Sequence, residues 1–85
     1  MSKPERRSYI FDRPGNYCIR VIGHLNESWS ERLAGLHITT SSSEDKEPIA
    51  ELVGQLRDQA ELAGVLNTLY EMHLSLLSVE YLSGD

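Results

Sequence analysis

The chain has 85 residues, 25% of them charged and 40% hydrophobic, with a formal net charge of −5. That length is one domain at most, burying about 60% of the surface its unfolded form exposes. It holds no apolar run of membrane-spanning length, and its lone cysteine, Cys18, excludes a disulfide framework and fits a reducing compartment.

Charge is unevenly divided. Six basic side chains against four acidic ones give residues 1–40 a charge of +2; two against nine give residues 41–85 a charge of −7. An acidic domain repels phosphate backbones, which argues against nucleic-acid binding.

Residues 1–15 read as a flexible N-terminal arm, with Pro4, Pro14-Gly15 and charges without helical period. Its polar start lacks a signal-peptide pattern, so the cytoplasm is the expected compartment. Within it Tyr9, Ile10 and Phe11 form an apolar clump, a candidate for docking on this domain, a second copy or another protein. From Asn16 to Leu25 the alternation of Tyr17, Ile19 and Val21 with Cys18, Arg20 and Ile22 predicts a strand. Ser28 with Glu31 three residues on has the spacing of a capping box, so a short helix is expected to reach Leu33 or Ala34 and stop at Gly35. Leu36 to Thr40 reads as a second strand, residues 41–46 as a polar hairpin loop closed by Glu47-Pro48, and Ile49 to Leu56 as a third strand.

The clearest element follows. Asp58 is the expected N-cap, with Glu61 completing the box. Leu62, Val65, Leu66, Leu69 and then Met72 or His73 keep the i, i+3, i+4, i+7 spacing of one helical face, widened by Ala63 and Tyr70. Leu74 to Leu82 reads as a last strand with Leu77, Val79 and Tyr81 on one face, and residues 83–85 as a frayed end. Val21-Ile22-Gly23-His24-Leu25 echoes Leu52-Val53-Gly54-Gln55-Leu56. Two strand–helix–strand halves are what a ferredoxin-like β-α-β-β-α-β fold requires. The fold expected for residues 16–82 is therefore α+β: a four-stranded antiparallel sheet with strands 1 and 3 central, and two helices on one face, the first short.

The residues for chemistry are sparse. No phosphate loop, dinucleotide fingerprint or zinc spacing is present. His24, His37 and His73 are scattered, and a metal site is not expected. Ser43-x-x-Lys46 has a β-lactamase-type spacing but lacks the partner motifs. Glu27 and Glu31 lack the burial that an acid–base pair needs. Stacking of RNA bases requires aromatic residues on the central strands, and Ile49 to Leu56 carries none. No catalytic residue or cofactor is expected, and the reading is non-enzymatic. Three candidate partner surfaces remain. The outer side of the long helix carries Ala60, Gly64, Asn67 and Glu71, and a helix-interior glycine costs about 1 kcal/mol against alanine. The uncovered sheet face is expected to carry Cys18, Arg20, Ile22, Ile49, Glu51 and Val53, or their alternates. Trp29, from a residue type enriched in interface hot spots, is the third.

The stretch Leu56-x-Asp58-Gln59-Ala60-x-Leu62-x-Gly64-Val65-Leu66-Asn67-x-Leu69-Tyr70, followed by Leu76-Leu77-Ser78-Val79-Glu80, resembles a signature of small uncharacterised bacterial proteins, cyanobacterial ones included. Gly23-x-Leu25 and Gly35-Leu36 fit the same pattern. The resemblance implies a shared α+β scaffold and transfers no activity. The resulting expectation is a protein-interaction or regulatory module with an unknown partner or self-association, its surface formed by Tyr9, Phe11, Ala60, Gly64, Asn67 and Glu71. The alternative is a small-ligand sensor acting as a homodimer, with a pocket near Arg20, His24 or Asn67.

Overall fold

The computed structural model describes residues 14–43 and 46–83. In chain order these form strand β1 (Gly15–Ile22), a 3-10 helix (Glu27–Leu33), strands β2 (His37–Ser43) and β3 (Lys46–Leu56), helix α1 (Gln59–Glu71) and strand β4 (Ser75–Ser83). The strands form one sheet in the order β2-β3-β1-β4, with every neighbour antiparallel. As the element order implied, β1 and β3 are central and β2 and β4 are the edges.

Period-two alternation decides the two faces. Tyr17, Ile19 and Val21 on β1 lie opposite Gly54, Leu52 and Ala50 on β3, and Ile38 on β2 lies opposite Leu52. These side chains meet Leu62, Val65 and Leu69 of α1 and Leu33, Leu25 and Leu36 of the first crossover in one core. Full burial of each leucine or valine contributes about 1.5–3 kcal/mol, so three α1 side chains anchor that helix to the sheet.

α1 takes the expected Asp58 cap, but the Glu61 side chain reaches one residue further back than the expected box. The Asp58 carboxylate accepts from Glu61 N–H at 2.9 Å, and the Glu61 carboxylate accepts from Arg57 N–H at 2.7 Å. The apolar stripe is narrower than expected. Met72 completes it, whereas Ala63 and His73 are exposed and Tyr70 is 77% exposed. The helix closes with His73 in the left-handed region (φ 63°), while Leu74 N–H donates to Leu69 C=O at 3.2 Å. That is a Schellman-type stop, and it delivers Leu74 to the core margin beside Gly23. A Cβ at Gly23 would come within 2.5 Å of Leu74, and its φ of 138° is a conformation that glycine tolerates best.

The first crossover differs from expectation in detail. It is a 3-10 helix, and its cap is Asn26, whose side chain accepts from Ser28 N–H at 2.8 Å, rather than a Ser28–Glu31 box. Asn26 sits one residue outside the helix in extended backbone, so its side chain reaches Ser28 N–H first. The helix ends in two left-handed residues, Ala34 and Gly35. The hairpin is also tighter than the polar stretch suggested. β2 runs to Ser43 and β3 starts at Lys46, with Ser43 and Lys46 in register. Exposed Ser, Thr and Glu residues give no apolar alternation, yet their backbones still pair. The Ser43-x-x-Lys46 spacing is thus the base of a hairpin. Gly54 clears Leu36, with a Cβ there 3.0 Å from Leu36 Cδ2.

Candidate functional site

The sheet ends in two edges. On β2, Thr39, Thr40, Ser41 and Ser42 are exposed and, among its described side chains, only Ile38 is buried. On β4 no residue is buried, and Leu76, Leu77, Val79, Tyr81 and Leu82 are 39–52% exposed. Register explains this. Val79 pairs with Ile19 and Tyr81 with Tyr17, so both face the helical layer. That layer seals Ile19 to 0% exposure but leaves Val79 at 39%. The Tyr81 ring does reach Tyr17, edge to face at 5.3 Å, and the Tyr17 hydroxyl accepts from the Gln59 side chain at 2.6 Å. Two register shifts against β1 leave Leu77 and Leu82 without a direct partner, so their side chains add apolar surface along the rim. Tyr70 continues the apolar strip onto α1. Together with Leu66, Leu69, Leu74, Ser75 and Leu76 it lines a cleft of about 420 Å³ between the end of α1 and the start of β4.

The uncovered face of the sheet is mixed. Of the two alternating sets that the sequence left open, it carries Cys18, Arg20, Ile22, Ile49, Glu51 and Val53. Arg20 and Glu51 lie opposite each other and form an ion pair at 2.9 Å, both partly exposed, so its net contribution is small. Cys18 is only 5% exposed although no helix among the described residues covers it. Val53 and Glu80 flank it across the ladders. Burial first, and Glu51 second, push its thiol above the ordinary 9.0, outweighing the opposite pull of Arg20. The thiol therefore stays protonated and unreactive near neutral pH. Tyr17 is in the core beneath α1 rather than on this face, so it offers no stacking platform.

The sequence-proposed surface divides into two parts. Tyr9 and Phe11 lie outside the described residues. Ala60, Gly64, Asn67 and Glu71 all sit on the solvent side of α1, and a Cβ at Gly64 would meet nothing within 4 Å. No contact among the described residues therefore requires glycine there. The face is small and polar, without an apolar anchor. Trp29 packs partly against the core with the Arg32 guanidinium 5.5 Å above its ring. Two further clefts, of about 480 and 540 Å³, are lined by Leu25, Asn26, Glu27 and residues of β2, and by the α1–β4 turn. Neither Arg20, His24 nor Asn67 lines any of these three clefts.

Among the described residues no three His, Cys, Asp or Glu side chains gather as metal ligands, and no helix is long and apolar enough to cross a membrane. Sheet, helices and apolar edge define a small α+β domain whose most distinctive surface is one strand. The chain belongs to the family described as Domain of unknown function (DUF8691), whose model matches residues 16–80. No curated protein and no solved structure matches it.

Proposed function

We propose that this protein is a non-enzymatic interaction module whose docking surface is the β4 edge with Tyr70. One observation carries this reading: all five large apolar side chains of an edge strand are left 39–52% exposed in a domain whose central strands bury Tyr17, Ile19, Val21, Ala50 and Leu52. Edge strands of monomeric proteins are usually blunted by lysine, proline or short length. β4 has nine residues, no lysine and no proline. An apolar strip with unpaired backbone groups suits a partner that adds a strand. The solvent side of α1, with Ala60, Gly64, Asn67 and Glu71, lacks an apolar anchor and takes no part in this reading.

Several finer assignments belong to the same proposal. The order β4-β1-β3-β2 with two crossover helices supports a ferredoxin-like topology, the 3-10 helix standing in for its first helix. The match over residues 16–80 supports the bacterial signature around Leu56 to Glu80 as a mark of the family. A single, buried, protonated cysteine supports a reducing, cytoplasmic setting. Affinity capture with the full chain, read by mass spectrometry, tests the interaction reading. Leu76→Thr with Leu82→Thr is expected to abolish capture of whatever the native chain retains. Capture unchanged by those two substitutions rejects the β4 surface.

The 420 Å³ apolar cleft favours a second reading, a small-ligand sensor. It falls within the usual size range of ligand sites, but Ser75 and Tyr70 supply its only side-chain hydroxyls. A rise in melting temperature with an apolar metabolite, lost in Leu66→Gln, would establish it; no rise across a metabolite panel removes it.

A further inference from the structure

The polarity of β4 is the same in both directions. Over Ser75–Ser83 the strand reads Ser-Leu-Leu-Ser-Val-Glu-Tyr-Leu-Ser: polar, two apolar, polar, Val79, then polar, two apolar, polar. We infer that a second copy of this chain covers the β4 edge. The two β4 strands pair antiparallel about a two-fold axis at Val79, joining two four-stranded sheets into a continuous one. The inference rests on the interaction reading above and names its partner.

A two-fold interface must be self-complementary, since residue i meets j and j meets i. With the axis at Val79, Leu76 faces Leu82, Leu77 faces Tyr81, and Ser78 faces Glu80. Apolar meets apolar and polar meets polar along the whole strand. An unrelated partner strand would place no such demand on β4. Charge selects the same axis. Glu80 is the only charged residue on the strand. An axis at Glu80 would set two carboxylates directly opposite, which is destabilising; the axis at Val79 gives each a serine instead.

Geometry agrees. The register shifts at Leu77 and Leu82 bracket a regular stretch, Ser78 to Tyr81, so the pairing centre falls on undisturbed ladder. The five half-exposed side chains and Tyr70 give each copy a contiguous apolar contribution to a small, reversible interface. β2 is no rival edge, because four consecutive residues from Thr39 to Ser42 are exposed and polar.

Sedimentation of the full chain over a wide dilution series tests the pairing and its register. The native chain is expected as a dimer that dissociates on dilution. Ser78→Lys sets a cation against Glu80 of the second copy and should tighten the dimer about fivefold, two such pairs forming per axis. Ser78→Glu should loosen it by a similar factor, and adding Glu80→Lys to it should restore association. Within one chain Ser78 lies opposite Arg20, so fold stability moves the other way in both variants. The association change is therefore not a by-product of stability. Both charges shifting the dimer in the same direction overturns the Val79 axis. A monomer at every concentration overturns self-pairing: if that monomer still captures a different protein through Leu76 and Leu82, the interaction reading survives, and if it captures nothing, both fall.

Discussion

The two edges of this sheet have opposite chemistry. β2 shows water a row of threonine and serine hydroxyls and buries Ile38 against the core. β4 is longer, buries nothing fully and turns apolar side chains outward along its rim. The helical layer that seals Ile19 and Leu52 leaves Val79 and Tyr81 half open. An edge can thus be part of a domain's architecture and still be unfinished as a surface. The same alternation that buries one strand exposes another when the covering layer falls short.

The largest expected effect is on what both edges share. Ile19 is fully buried at the centre of the sheet, next to both Leu52 and Val79. Ile19→Ala should cost about 3 kcal/mol of folding stability, read by urea denaturation. The melting of β2 and β4 signals should remain coincident, and two separate transitions would break the picture of one cooperative sheet.

Making β4 resemble β2 sharpens the contrast. Leu76→Thr with Leu82→Thr should weaken association at least tenfold, while stability changes by about 1 kcal/mol or less because both side chains are half exposed. Equal association of native and variant chains would erase the functional difference between the edges.

A smaller effect is expected where β4 begins. His73 holds a left-handed φ of 63° at the helix stop. His73→Gly should stabilise the fold by about 0.5–1 kcal/mol and leave association unchanged, as measured by thermal melting and sedimentation. Loss of stability would mean that the His73 side chain contributes more than its backbone strain costs.

The smallest effect is at Cys18, between the edges on the uncovered face. Its folded pKa lies above its ordinary 9.0, mainly through burial. A group raised in this way contributes fully below the unfolded pKa and loses that contribution as pH rises through the folded value. Stability should therefore be insensitive to this thiol at neutral pH and decline above about pH 9, and Cys18→Ala should flatten that alkaline decline. Rapid alkylation of the native thiol at pH 7 would contradict its burial.

How much of this was legible in the sequence depends on the signal each element carried. The alternation in β1 and the apolar half of β3, and the spacing and Asp58–Glu61 box of α1, announced those elements. The hydroxyl-rich end of β2 and the charged start of β3 did not, because exposed polar residues look alike in a loop and in a hairpin. The first crossover revealed its extent through Gly35 but not its 3-10 winding or its Asn26 cap. The outward face of Ala60, Gly64, Asn67 and Glu71 was legible from helical period alone. The exposed β4 rim was not: period two groups Leu77 with Val79 and Tyr81, misses the shift that sets Leu76 rather than Leu77 opposite Val21, and says nothing about whether a helix covers them. Tyr70 fits the apolar stripe by spacing, yet lies beyond the reach of the sheet. The palindromic polarity of β4 was visible in the sequence and acquired meaning only once β4 proved to be an edge.

The most direct test of an apolar, self-pairing β4 edge is residue-resolved amide hydrogen exchange on the full chain across a dilution series, comparing β4 with β2. Self-pairing predicts that outward β4 amides from Ser75 to Ser83 gain protection as concentration rises, while those from His37 to Ser43 do not change. Two edges that exchange alike at every concentration would contradict it.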